Sequence, residues 1–283
     1  MRIATLMLLL LFVPPAMAAQ PGRLEADLAK AKADYDRDPS SADAAIWLGR
    51  RLAYLGRFPE AIDVFTHGIA GHPGDARLYR HRGHRYITTR RFDLAIGDLT
   101  KAAQLTAGKK DEIEPDGAPN KAGVPRSTLQ SNIWYHLGLA QYLTGDFTAA
   151  LASYREGMKV SRVNDDMLVA TSDWLYMTLR RLKRDAEARQ VLEPIREQMD
   201  VIENGAYHAR LLMYKGLRTP ESVLNLNTAD DIQIATQGYG VGNWYLVNGD
   251  RARAREVFDR VLAGKATTAF GFIAAEADVK RGF

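Results

Sequence analysis

The sequence has no cysteine among its 283 residues. Disulfides, thiolate nucleophiles, Cys-ligated zinc, iron–sulfur clusters and lipid attachment through sulfur are therefore excluded. Neither sign of charge dominates: 38 Lys and Arg face 34 Asp and Glu, a formal excess of +4. An excess of that size does not mark a general polyanion binder. Also missing are an HExxH helix, a GxSxG turn and a Walker phosphate loop. Glu112, Glu114, Asp116 and Gly117 imitate the start of a calcium loop, but Gly123 stands where its bidentate glutamate is due. From these absences no catalytic residue, metal ligand or cofactor is expected. The remainder, 46% hydrophobic and 25% charged, is ordinary globular composition with ample chain for a core.

The longest apolar run opens the chain. Arg2 precedes the apolar stretch Ile3 to Val13, and Ala16-Met17-Ala18 follows it, which is the pattern of an export leader with a small-residue cleavage site. The apolar stretch falls short of the roughly 20 residues needed to span a bilayer, and Pro14-Pro15 stops a helix there. The expectation is a cleaved leader over residues 1–18, a mature chain from near Ala19, no transmembrane segment, and a periplasmic or secreted location.

The rest of the chain repeats itself. Residues 44–69 align without a gap on residues 78–103, so that Gly49, Phe58, Ala61 and Phe65 fall 34 positions before Gly83, Phe92, Ala95 and Leu99. A third copy supplies Gly138, Phe147, Ala150 and Tyr154, and a later one Gly242, Ala254 and Phe258. Between the second and third copies stands an insertion over residues 106–126, rich in proline and glycine. Apolar residues recur at helical spacing, as in Leu48, Leu52 and Leu55. Ser40 to Asp43 and Ser127 to Gln130 have the form of capping boxes. Strand alternation is absent.

The period and residue set resemble the tetratricopeptide repeat, in which each 34-residue unit is a helix–turn–helix. The resemblance implies an all-α, right-handed α-solenoid of about six repeats. In the divided chain, residues 19–41 form an N-terminal capping helix, 42–105 repeats one and two, 127–265 repeats three to six, and 266–283 a C-terminal capping helix. Repeats four and five are degenerate, Asp185 replacing the usual aromatic in the fourth. Glu276, Asp278, Lys280 and Arg281 suit the last helix to a polar end. Gly238, Gly240 and Gly242 fall inside a first helix, where close packing explains them better than a phosphate ligand.

The resemblance also implies a concave groove lined by the first helices, with Arg50, Tyr54, Arg77, Arg80, His84, Asn132, Tyr135 and Tyr142 as candidate ligand-binding residues. Residues 76–91 hold six arginines, two histidines and no acid. They read either as a solvated basic face or as a groove for a carboxylate-bearing or acidic partner, whose oxygens a planar guanidinium pairs with two at a time. Arg82 stands where the other repeats place Leu48 and Leu137; it either snorkels outward or is partly buried against an acid such as Asp98, the second being slightly favoured. The insertion reads as a passive surface loop, with a cover over the groove mouth as its alternative. The function implied is a protein- or peptide-binding scaffold, non-enzymatic, with no nucleic acid expected. A small-molecule or cell-wall-fragment receptor, or an enzyme built from groove and insertion residues, is the alternative.

Overall fold

The computed structural model describes residues 21–115, 120 and 122–283; the expected leader lies outside them. Among the described residues there are fourteen α-helices and no strand, only an isolated bridge between Ile113 and Thr128. Helix α1 (Pro21–Arg37) is followed by the pairs α2 (Ala42–Tyr54) and α3 (Phe58–Gly71), α4 (Ala76–Thr88) and α5 (Phe92–Thr106), and α6 (Leu129–Thr144) and α7 (Phe147–Val160). Then come α8 (Asp165–Arg181) and α9 (Asp185–Val191), α10 (Gly205–Tyr214) and α11 (Pro220–Val223), α12 (Asp231–Val247) and α13 (Arg251–Leu262), and the lone α14 (Phe270–Arg281). The expected all-α solenoid of six helix pairs is present. No described helix is long and apolar enough to cross a membrane.

Each pair closes where the repeat places a small residue opposite a large one. The alanines at Ala61, Ala95, Ala150, Ala188 and Ala254 are all inaccessible to solvent. A Cβ built on Gly138 would come within 2.7 Å of the Tyr154 ring, and one on Gly242 within 2.5 Å of Phe258. The glycines in the first helices therefore let the rings of the second helices touch backbone. Gly138→Ala is expected to cost about 1–3 kcal/mol through overpacking, outweighing the roughly 1 kcal/mol that alanine gains in helix propensity. Urea unfolding of the variant checks this. A midpoint at or above wild type would mean that the pair adjusts freely.

Local chemistry sets the helix starts, shifted slightly from expectation. Ser41 rather than Ser40 caps α2, accepting from the Ala44 amide at 3.2 Å. Thr128 caps α6 in a box completed by Ser131 rather than Gln130. Helix α9 ends at Val191, three residues before Pro194. Arg82 pairs with Asp98 through two hydrogen bonds of 2.7 Å, so the misplaced charge of repeat two is neutralised between its own two helices.

Neighbouring first helices touch in series, α2 with α4, α4 with α6, α6 with α8, and α8 with α10 and α12. They form the inner layer. Helix α14 is not a polar end. Phe272, Ile273, Ala274, Ala275 and Asp278 are buried, and α14 reaches back to α6 as well as packing on α12 and α13. Arg90 of repeat two bonds Glu276 at 2.8 Å and the Thr267 carbonyl at 2.8 Å. Charges read as solvated are spent on holding α14 inside the curve of the solenoid.

Candidate functional site

The inner layer is the surface on which the candidate residues were expected, and two parts of the chain itself occupy it. In the carboxyl half the occupant is α14. The Phe270 ring lies 5.3 Å from that of His84 and 5.6 Å from that of His136, while the two imidazoles stand 4.4 Å apart. The Tyr135 hydroxyl meets the Tyr207 hydroxyl at 2.6 Å and accepts from Trp174 Nε1 at 2.9 Å. Between Trp174, Tyr207, Tyr239 and Phe270 remains a cavity of about 140 Å³, room for a few waters at roughly 30 Å³ each.

In the amino half the occupant is the insertion. Residues 111–115 run extended, the Glu114 amide donating to the Ser127 carbonyl and the Leu129 amide to the Glu112 carbonyl, each at 2.9 Å. Arg50 Nη2 donates to the Pro115 carbonyl at 2.8 Å. Glu114 Oε2 lies 3.0 Å from Arg80 Nε and accepts from Asn132 Nδ2 at 3.0 Å, and Oε1 is 3.7 Å from His81 Nε2. Residues 111–115 of the insertion thus lie on the groove, where a passive surface loop was expected. Asp116 and Gly117, part of the calcium-loop imitation, lie outside the described residues.

The surroundings of Glu114 are cationic. Arg50 and Arg80, both buried, hold this stretch, and Arg85, partly buried, lies close enough to both to feel their charge. Burial, with Arg80 and Arg50 adding repulsion, pushes the Arg85 guanidinium down to about 10. Burial is likewise the main cause that lowers Arg80, opposed by Glu114. His81, His84 and His136 are held well below the ordinary imidazole range, first by burial and then by these arginines. Neutral imidazoles and one carboxylate are what let three guanidinium groups share the site.

Six arginines in residues 76–91 therefore have different fates. Arg77 is tied at the rim to Asp43 and Asp75, each at 2.6 Å, Arg82 to Asp98 and Arg90 to Glu276. Arg80 meets Glu114, and its Nε makes no hydrogen bond despite the short ion pair. Arg85 and Arg91 lie over the rings of Phe58 and Tyr86. The structure gathers Arg50, Tyr54, Arg80, His84, Asn132 and Tyr135 along one strip. It does not bring Tyr142 there: that ring is fully buried in the core, its hydroxyl bonded to Tyr239 at 2.7 Å. Tyr142 is corrected to a core residue, because its ring packs edge-on against Trp174 of α8 and Tyr239 of α12. Glu114, Arg85 and His136 belong to the strip and were not singled out as ligand-binding residues. The available signal was the acidic run Asp111-Glu112-Ile113-Glu114, in the insertion that follows the repeat carrying the acid-free arginine helix.

The three glycines of α12 are packing residues, as expected. A Cβ on Gly240 would meet Arg210 at 2.0 Å and one on Gly238 would meet Val261 at 2.4 Å. No group of three or more His, Asp or Glu capable of holding a metal occurs among the described residues.

No protein-family model matches the chain. Hsp70-Hsp90 organizing protein 1 of Glycine max is 30% identical over 149 residues, 51% of this chain. The chain spans only about a fifth of that relative, 22% of its length. A solved tetratricopeptide repeat protein from Parabacteroides merdae is 12% identical and superposes at a TM-score of 0.50, covering 89% of this chain and 93% of that one. YrrB, a TPR protein with an unusual peptide-binding site, is 13% identical, covering 87% and 97% at a TM-score of 0.45.

Proposed function

We propose that this chain, which has the tetratricopeptide-repeat fold, is a non-catalytic protein- or peptide-binding scaffold whose ligand is an extended acidic segment. The observation carrying the reading is the pairing of buried Arg80 with Glu114, beside Arg50 on the neighbouring Pro115 carbonyl, on the inner face of repeats one to three. Guanidinium groups already desolvated lose little further hydration on meeting a carboxylate, and their planar forks reward paired oxygens. The rest of the inner face is filled by α14, so the amino half is where a ligand docks. Likeness to a protein named as an organizer of two others supports a scaffold. The pattern of residues 1–18 supports work outside the cytoplasm.

The test is fluorescence anisotropy with a capped, labelled octapeptide of alternating Asp and Glu. Arg50→Gln/Arg80→Gln is expected to bind it at least about tenfold more weakly than wild type, and wild-type affinity should fall with added salt. Equal affinity for an all-lysine octapeptide, or an affinity indifferent to the double substitution, sinks the reading. Circular dichroism confirms that the variant is folded.

A further inference from the structure

We propose that residues 111–115 are a tethered competitor: Glu114 occupies the position of the ligand carboxylate, and the segment must leave before an acidic partner binds. The proposal rests on the binding reading above and adds its regulation.

The segment is bound as a peptide ligand is bound. It is extended, one backbone carbonyl is captured by Arg50, and one acidic side chain is captured by Arg80 and Asn132. Main-chain and side-chain capture together are how grooves hold extended partners. Its sequence, Asp111-Glu112-Ile113-Glu114, is itself an acidic segment of the class the groove suits.

Its attachment is also of a kind that can be released. Ile113 is 63% exposed and Glu112 and Pro115 are exposed as well, so the stretch buries little apolar surface. Polar contacts without apolar burial place a segment at the low end of local opening free energies. Arg80 Nε, in a buried side chain, is left without an aligned acceptor, so Glu114 does not satisfy the site it fills. Asp111 supplies a hinge that can stay in place. Its carboxylate accepts from the Thr128 hydroxyl at 2.5 Å and the Gln130 amide at 2.9 Å, both at the start of α6.

Stacking of repeats does not require the segment. Four residues, 72–75, connect α3 to α4, whereas residues 107–128 connect α5 to α6. Of the longer connection, residues 111–115 lie against the inner face. Tethering gives the occupant a local concentration on the order of millimolar. A free ligand then binds with its affinity reduced by the fraction of molecules in the open state.

The experiment uses the full chain and a labelled, capped peptide of its own residues 109–115. Glu114→Gln, which weakens the occupant, is expected to bind this peptide at least about tenfold more tightly than wild type, the ratio for a tether closed in about nine molecules of ten. Saturating peptide added to wild type should also speed hydrogen exchange at the Glu114 and Leu129 amides, which lose their carbonyl partners when the segment lifts. Equal affinities with unchanged exchange, while Arg80→Gln still weakens binding, overturn the tether and leave the groove reading standing. Failure of the peptide to bind wild type and Glu114→Gln alike overturns both. Exchange in wild type decides the question even where Glu114→Gln is poorly folded.

Discussion

Between pH 7 and pH 5 the protein is expected to lose several kcal/mol of unfolding free energy. His81, His84 and His136 are neutral in the fold, their pKa values held well below 6.5 by burial and by Arg80, Arg85 and Arg50. In the unfolded chain they titrate near the ordinary imidazole value. Below it the unfolded state binds more protons than the folded one, so stability falls with pH. The contribution is intact above about 6.5 and declines from there downward, each histidine adding a slope that approaches about 1.4 kcal/mol per pH unit. Glu60, Asp75, Glu187 and Glu221 have lowered values and lose their contribution at lower pH than this window. Asp173, raised by burial, titrates in the opposing sense. Urea unfolding at several pH values measures the slope. His84→Phe keeps a ring against Phe270 and should remove about a third of it. A flat profile, or a slope unaltered in His84→Phe, would show that the strip is already protonated.

Asp278→Ala is expected to destabilise the protein by about 3–5 kcal/mol, the usual cost of leaving a buried charge without its partner. Asp278 is inaccessible to solvent. It accepts from Arg181 at 2.9 and 3.3 Å, from the Tyr239 hydroxyl at 2.8 Å and from Arg281. These partners come from α8, α12 and α14, so one carboxylate fastens the last helix to two inner helices. Alanine leaves the Arg181 guanidinium, only 10% exposed, without its carboxylate, among neutral neighbours that include Asn243 and the Phe147 ring. The denaturant midpoint should fall, and the connection between α13 and α14 should become a preferred site of limited proteolysis. A loss below about 0.5 kcal/mol, the range of an ordinary surface substitution, would mean that α14 is held by its apolar face.

How much of this was legible before the structure varies by element. The helix pairs were, because Gly138 against Tyr154 and Gly242 against Phe258 are contacts between neighbours along one repeat, and the 34-residue period displays them. The pairing of Arg82 with Asp98 was legible for the same reason: both belong to one helix pair. The site was legible only in part. Groove positions carried over from the repeat named Arg50, Arg80, His84, Asn132 and Tyr135, which share one strip, but they also named Tyr142, which is buried in the core. They missed Glu114 and Arg85.

What the sequence alone determined is the architecture: a helical repeat, its glycine and alanine contacts, and the concentration of arginine in the second unit. These rest on interactions within a turn or a helix pair, where spacing along the chain equals spacing in space. Only the tertiary structure decided what stands inside the curve. Arg90 meets Glu276 and Arg181 meets Asp278 across separations that no period encodes. The superhelical turn, a sum of small rotations between successive pairs, is what brings these residues together.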